Sequence, residues 1–310
     1  MEGTTYTLSQ MTTATPAEPT LKAIVRHSGP LTLWHLLSLD APTIAALWTW
    51  FIASANHVRL PLSSTLAMAI AVWMLYAADR LMDARLLVVD PTHYEGLEAR
   101  HYFHHRHRSA FLTGILFASI TLALLLPHLE AAAIHLYVVL GSIVFGYFIL
   151  IHAARSTATQ QKAAHRLPKE IAVGLFFAAA TFIPTVARRP DLRLPLLPVA
   201  LLFATLCSLN CLYIYAWEHA GSRSSNPPHA ITHLALRNMP SLTVLLALSG
   251  AAITLFDHRG PWPVPYAIAL SAALLLLLHN HRLAITPVTL RAAADLALTT
   301  PFLLLLFLHE

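Results

Sequence analysis

The chain contains nine apolar runs long enough to cross about 30 Å of hydrocarbon, and nothing constrains its fold more. They fall at 42–58, 62–80, 110–127, 131–151, 170–187, 195–217, 240–256, 264–281 and 292–308. Lipid offers no hydrogen-bond partners to a peptide backbone, so every such run is expected to be an α-helix. Pro42, Pro127, Pro240 and Pro301 lie at or near run ends, where a helix break costs least. Composition agrees. Only 11% of the 310 residues are charged and 56% are hydrophobic, with a mean hydropathy of +0.60. A soluble domain carries about 25% charged residues, so a soluble enzyme of this size is excluded. Nucleic-acid binding is excluded as well, because the twenty Lys and Arg residues are scattered and form no basic face.

The expected organisation is a polar, Thr-rich disordered tail over 1–30, with no apolar signal-peptide core, and a single all-α transmembrane domain over 31–310. Leu31 to Leu39, with Trp34 and His35, is expected to be an interfacial helix. Lys and Arg set the orientation. The N-terminal segment and the even-numbered loops hold fourteen: Lys22, Arg26, Arg85, Arg100, Arg106, Arg108, Arg155, Lys162, Arg166, Lys169, Arg223, Arg237, Arg282 and Arg291. The opposite loops hold five: Arg59, Arg188, Arg189, Arg193 and Arg259. This asymmetry puts the N-terminus in the cytoplasm and the C-terminus outside a plasma (inner) membrane. Cys207 and Cys211 lie within one apolar run and make no disulfide framework.

Charges inside membrane segments are expensive, so each is a functional candidate. Asp79 and Asp83 stand four apart at the end of the second run, flanked by Arg80 and Arg85. Like charges at that spacing repel. A cation belongs beside them: the arginines, or Mg²⁺, which takes carboxylate oxygens and shares its shell with phosphates. A helix-end salt bridge is the structural alternative. Asn210, Ile214 and Glu218 form a stripe at steps of four in the sixth run. There the structural alternative is a snorkelling Glu beside a hydrogen-bonded Asn. Before the fifth run, Pro168 suits a helix start, Glu170 suits the helix dipole, and Lys169 suits a phosphate or a positive-inside role. Arg291 and Asp295 are spaced as an i,i+4 ion pair.

The loop after the second run reads Arg100-His101-Tyr102-Phe103-His104-His105-Arg106-His107-Arg108. His101-x-x-His104-His105 has the spacing of a di-iron histidine box, and His229, His233, His279 and His281 lie on the same side. Imidazole suits iron, but the interleaved arginines oppose a cationic metal. The same stretch also reads as a cationic aromatic helix that meets diphosphate or lipid headgroups through residues such as His101 and Arg106, or simply as a solvated helix.

Taken together, the carboxylates at two helix ends and the basic loops above them resemble the UbiA-type intramembrane prenyltransferases. Members of that family have nine transmembrane helices, with aspartate-rich motifs at the cytoplasmic ends of the second and sixth. Asp79-Arg80-Leu81-Met82-Asp83 matches the second half of the first motif, while Leu75 and Tyr76 replace its Asn and Asp. Asn210, Cys211, Ile214 and Glu218 occupy the second motif, with Glu218 as its only acid. Arg166 to Gly174 resembles the basic segment before the fifth helix, and Ser38-Leu39-Asp40-Ala41-Pro42 resembles the start of the first.

The resemblance implies a UbiA-like bundle that transfers an isoprenoid from a prenyl diphosphate to a lipophilic acceptor. Asp79, Asp83 and Glu218 would be catalytic, and these three with Asn210 would bind Mg²⁺. Arg80, Arg85, Lys169, Asn210, His101 and Arg106 would contact the substrate. Three acids stand where the family has about six, enough for one ion rather than two. A histidine-box oxidase and a non-catalytic lipid-binding protein of the same fold are the alternatives.

Overall fold

A computed structural model of the chain describes residues 29–89, 99–155, 168–219, 230–257 and 260–304. These residues form helices and turns, with no strand among them. The elements are α1 (Pro30–Leu36), α2 (Asp40–Ala55), α3 (Leu62–Val89), α4 (Ala99–Arg106), α5 (Arg108–Leu125), α6 (Ala131–Arg155), α7 (Lys169–Arg188), α8 (Leu197–His219), α9 (Ala230–Arg237), α10 (Met239–Phe256), α11 (Pro263–Asn280), α12 (Pro287–Leu296) and α13 (Pro301–Leu304). Proline stands in the first turn of α1, α10, α11 and α12, where its missing N–H costs nothing. Of the expected tail over 1–30, residues 1–28 lie outside the described residues, and Pro30 already begins α1.

Among the described residues, six helices are long and apolar enough to cross a membrane: α3, α5, α7, α8, α10 and α11. The pair α1 and α2, bent by 91°, counts as a seventh if it is one broken span. The other two expected runs are helical with differences. The 131–151 run lies in α6, whose stretch to Tyr147 registers as a shorter apolar helix. As far as residue 304, the described part of the 292–308 run is divided among α12, a 3₁₀ turn at Ala297–Thr299 and α13. Pro301 explains that division, because it cannot donate to the preceding turn. The expected interfacial helix is α1, but His35 and Leu36 are buried against the bundle.

Burial sorts the helices. The membrane-length stretches of α7, α8 and α11 are half buried, whereas that of α5 is 6% buried and exposes Leu116, Phe117 and Leu124. In lipid, close packing replaces the hydrophobic drive between helices, so small residues set the tightest contacts. Gly174 of α7 lies against α8. A Cβ there would collide with the Ser208 side chain and stand 2.7 Å from the Ala204 carbonyl oxygen. Gly250 of α10 is equally tight on α11, at 2.7 Å from the Pro265 carbonyl oxygen. In the core, Trp48 of α2 packs on Phe203 of α8 with ring centroids 4.3 Å apart. Its indole N–H donates to the Leu298 carbonyl at 2.7 Å, tying the first long helix to the end of the chain.

Side-chain contacts gather several helices at one end of the bundle: Asp40 at the start of α2 meets Arg80 of α3, Lys169 at the start of α7 meets Asp79 of α3, and Asn210 of α8 meets Asp295 of α12. The short helices α4 and α9 join them through His104 with Ser38 and Thr232 with Glu170.

Candidate functional site

At that end, α2, α3, α7, α8 and α12 enclose a cavity of about 200 Å³. Ile44, Val173, Phe177 and Leu298 form its apolar wall, while its polar groups fall into two tiers.

The inner tier begins at the bend between α1 and α2. Helix α1 closes with a Schellman motif: the Ser38 N–H donates to the His35 carbonyl and the Leu39 N–H to the Trp34 carbonyl. The motif puts Ser38 at φ 58°, where glycine is the usual residue. A serine at that position supplies a hydroxyl, and the hydroxyl is used. Arg80 Nη1 donates to Ser38 Oγ at 2.7 Å, and His104 Nε2 of α4 lies 3.0 Å from the same oxygen. Arg80 also donates to the His35 carbonyl at 3.0 Å and to Asp40 Oδ2 at 3.4 Å. Asp40 Oδ2 further meets His35 Nδ1 at 2.6 Å, and its Oδ1 accepts from the Ala41 N–H at 2.9 Å. His35, Ser38, Asp40, Arg80 and His104 are all buried. A buried carboxylate is tolerated only when paired and fully hydrogen-bonded, and Asp40 meets that condition.

Asp295 of α12 stands beside this group, with Oδ2 4.0 Å from His35 Nδ1. Its Oδ1 accepts from Asn210 Nδ2 of α8 at 2.9 Å. Arg291, one turn earlier on α12, lines the same cavity.

The outer tier is wetter. Lys169 Nζ of α7 lies 3.8 Å from Asp79 Oδ1 of α3, with side chains 52% and 33% exposed. Glu170 Oε2 accepts from the Thr232 hydroxyl of α9 at 3.4 Å. This tier joins the later part of α3, the start of α7 and helix α9.

The residues singled out from sequence divide between the tiers. Asp79 and Lys169 meet each other. Arg80 lines the cavity but turns inward, holding the bend. Asn210 turns toward Asp295. Arg106 is exposed on α4. Asp83 and Arg85 lie in α3, His101 in α4 and Glu218 in α8, with side chains outside the described residues. Of the loop histidines, His104 is buried between Ser38 and Phe111, its ring stacked on Phe111 at 4.1 Å. Among the described residues, the cluster with metal-ligand spacing is instead His35, Asp40 and Asp295. Sequence reasoning missed this cluster. Its signal was three polar residues, His35, Ser38 and Asp40, within six positions at the edge of an apolar run, plus an acid in the last run.

No family model, curated protein or solved structure matches the chain.

Proposed function

We propose that the protein is an intramembrane transferase of UbiA-like, nine-span architecture. It moves an isoprenoid group from a prenyl diphosphate to a lipophilic acceptor in a Mg²⁺-dependent reaction. It sits in the plasma (inner) membrane with its N-terminus cytoplasmic. The carrying observation is the contact of Asp79 with Lys169, a lysine that lines a cavity with an apolar side. An amphiphile with an anionic head fits that polarity, with its head at the lysine and its chain along Ile44, Val173, Phe177 and Leu298.

Of the acids that the resemblance assigns to Mg²⁺, Asp79 and Asp83 stand four residues apart in α3 and Glu218 lies in α8, with the side chains of Asp83 and Glu218 outside the described residues. Asn210, read from sequence as a fourth donor, is engaged by Asp295 and belongs to the inner tier. When bound, Mg²⁺ neutralises charge that builds on a leaving diphosphate. The chain's own residues do the rest. Lys169 releases Asp79 and takes a diphosphate oxygen as a point charge. The apolar wall excludes water from the allylic carbon. Helix α9, whose Thr232 bonds Glu170, borders the outer tier where headgroups would arrive. The alternative oxidase reading draws no support from His104, which is engaged by Ser38 and Phe111.

The test is diphosphate release by the purified chain in vesicles with a panel of prenyl diphosphates, with and without Mg²⁺. Asp83→Asn is expected to lower release by about 100-fold. Turnover unchanged in that variant contradicts the site. No release with any donor contradicts the transfer reading and leaves lipid binding.

A further inference from the structure

Within the inner tier, Asp295 differs from Asp40. Both oxygens of Asp40 are engaged, by His35, Arg80 and the Ala41 N–H. Asp295 has one engaged oxygen: Oδ1 accepts from Asn210 Nδ2 at 2.9 Å, which fixes the carboxylate's orientation. Its Oδ2 has no hydrogen bond among the described residues, and His35 Nδ1 lies 4.0 Å away. That oxygen is not sealed off: the side chain is 14% exposed, and Asp295 lines the cavity. Tyr76 of α3 lines the same cavity, close enough to Asp295 to feel its charge, and its hydroxyl has no hydrogen bond among the described residues.

The charges lining the cavity balance. Three acids, Asp40, Glu170 and Asp295, stand with three bases, Arg80, Lys169 and Arg291. A deeply held anion needs a surplus of positive charge, which the inner tier lacks, and it would be repelled by Asp295 Oδ2. A cation meets the two guanidiniums. An uncharged ligand avoids both penalties. A carboxylate oxygen with an open side takes a donor, and a hydroxyl is an uncharged group that makes a short, charge-assisted hydrogen bond to it. Size is also bounded. An apolar cavity of about 150 Å³ takes one benzene, so the cavity of about 200 Å³ takes a compact carbon body with its hydroxyl.

We propose that the inner part of the cavity binds an uncharged alcohol or phenol whose hydroxyl donates to Asp295 Oδ2, with the Tyr76 hydroxyl as a second polar contact. Water serves such an oxygen in the free protein. A ligand hydroxyl that replaces the water keeps the hydrogen bond, while the carbon body gains the apolar wall of Ile44, Val173, Phe177 and Leu298. Asn210 is a positioning residue, because its bond to Oδ1 holds the carboxylate for that contact. This ligand is the acceptor of the proposed transfer, an assignment that rests on the transferase reading. Its oxygen bonds to the allylic carbon as the carbon–oxygen bond to diphosphate breaks, and its proton passes to Asp295 Oδ2.

The test uses full-length protein in nanodiscs and three probes of one shape: 1-naphthol, naphthalene and 1-naphthoate. Binding is followed by equilibrium dialysis at neutral pH, with empty nanodiscs subtracted. Wild type is expected to bind one 1-naphthol per chain, saturably. Naphthalene, which lacks the hydroxyl, and 1-naphthoate, which carries a charge, are each expected to bind at least about tenfold more weakly. Asp295→Asn retains a carbonyl for Asn210 and turns an NH₂ toward the cavity, a donor in place of an acceptor. It is expected to weaken 1-naphthol by about tenfold or more, and Tyr76→Phe by about threefold. No saturable 1-naphthol on wild type overturns the proposal, and this reading needs no variant to fold. Equal binding of naphthalene, tighter binding of 1-naphthoate, or full affinity in Asp295→Asn overturns it as well. Binding is read without a prenyl diphosphate. Failure of the transferase reading therefore leaves the ligand class standing, and failure of binding leaves diphosphate release as a separate result.

Discussion

Both tiers contribute to one cavity, the inner through Asp40, Arg80 and Asp295 and the outer through Lys169 and Glu170, yet they are built for different work. In the inner tier, Arg80 and Asp40 are 5% and 2% exposed at the side chain and sit among hydrogen bonds from three helices. In the outer tier, Lys169 and Asp79 are 52% and 33% exposed, and one long contact joins them. A buried pair is costly to break because the survivor is stranded in a low dielectric. An exposed pair holds little energy and exchanges partners freely. The inner tier therefore fixes geometry, and the outer tier is free to trade its partner for a substrate.

Substitutions that strand an inner charge should show the largest effect. Arg80→Met leaves Asp40 with only His35 and the Ala41 N–H and is expected to cost about 3–5 kcal/mol, read as a large drop in melting temperature in detergent. Smaller, and outside both tiers, is Gly174→Ala. The added methyl meets Ser208 and Ala204, so α7 and α8 must part at an expected cost of about 1–3 kcal/mol. Intermediate melting between wild type and Arg80→Met checks it. The Schellman position gives a finer test. Ser38→Ala keeps the left-handed backbone but removes the hydroxyl, while Ser38→Gly removes the hydroxyl and relieves the backbone. The alanine variant is expected to melt below the glycine variant by the equivalent of about 1 kcal/mol. Equal melting would show that the hydroxyl alone matters there. Least of all, Lys169→Gln is expected to shift stability by under about 0.5 kcal/mol while lowering turnover. A large stability loss in that variant would erase the distinction between tiers.

How much of this was legible in the sequence follows the same division. Helix positions were readable because lipid permits no other backbone solution, and seven of the apolar runs map onto membrane-length helices or the bent pair. The broken form of the last run was not readable: a proline near a run end reads as a terminus, whereas Pro301 begins a separate short helix after the 3₁₀ turn. The outer tier was legible as Asp79 and Lys169 because charges at helix ends stand out against apolar sequence. The inner tier was obscured for a different reason. His35 and Asp40 lie in what reads as an interfacial segment, and the 91° bend that turns them inward depends on a left-handed Ser38. Serine does not advertise that conformation as glycine would. The partner of Asp295 was obscured too. Its spacing to Arg291 suggests a local pair, whereas its hydrogen bond to Asn210 joins residues 85 positions apart.

The most direct test of the account separates turnover from stability in one outer-tier variant. Mg²⁺-dependent diphosphate release and melting temperature are measured together for wild type and Asp79→Asn. The account predicts release reduced by about 100-fold with the melting temperature unchanged. Release that is unchanged, or that falls only as far as the folded fraction falls, would contradict it.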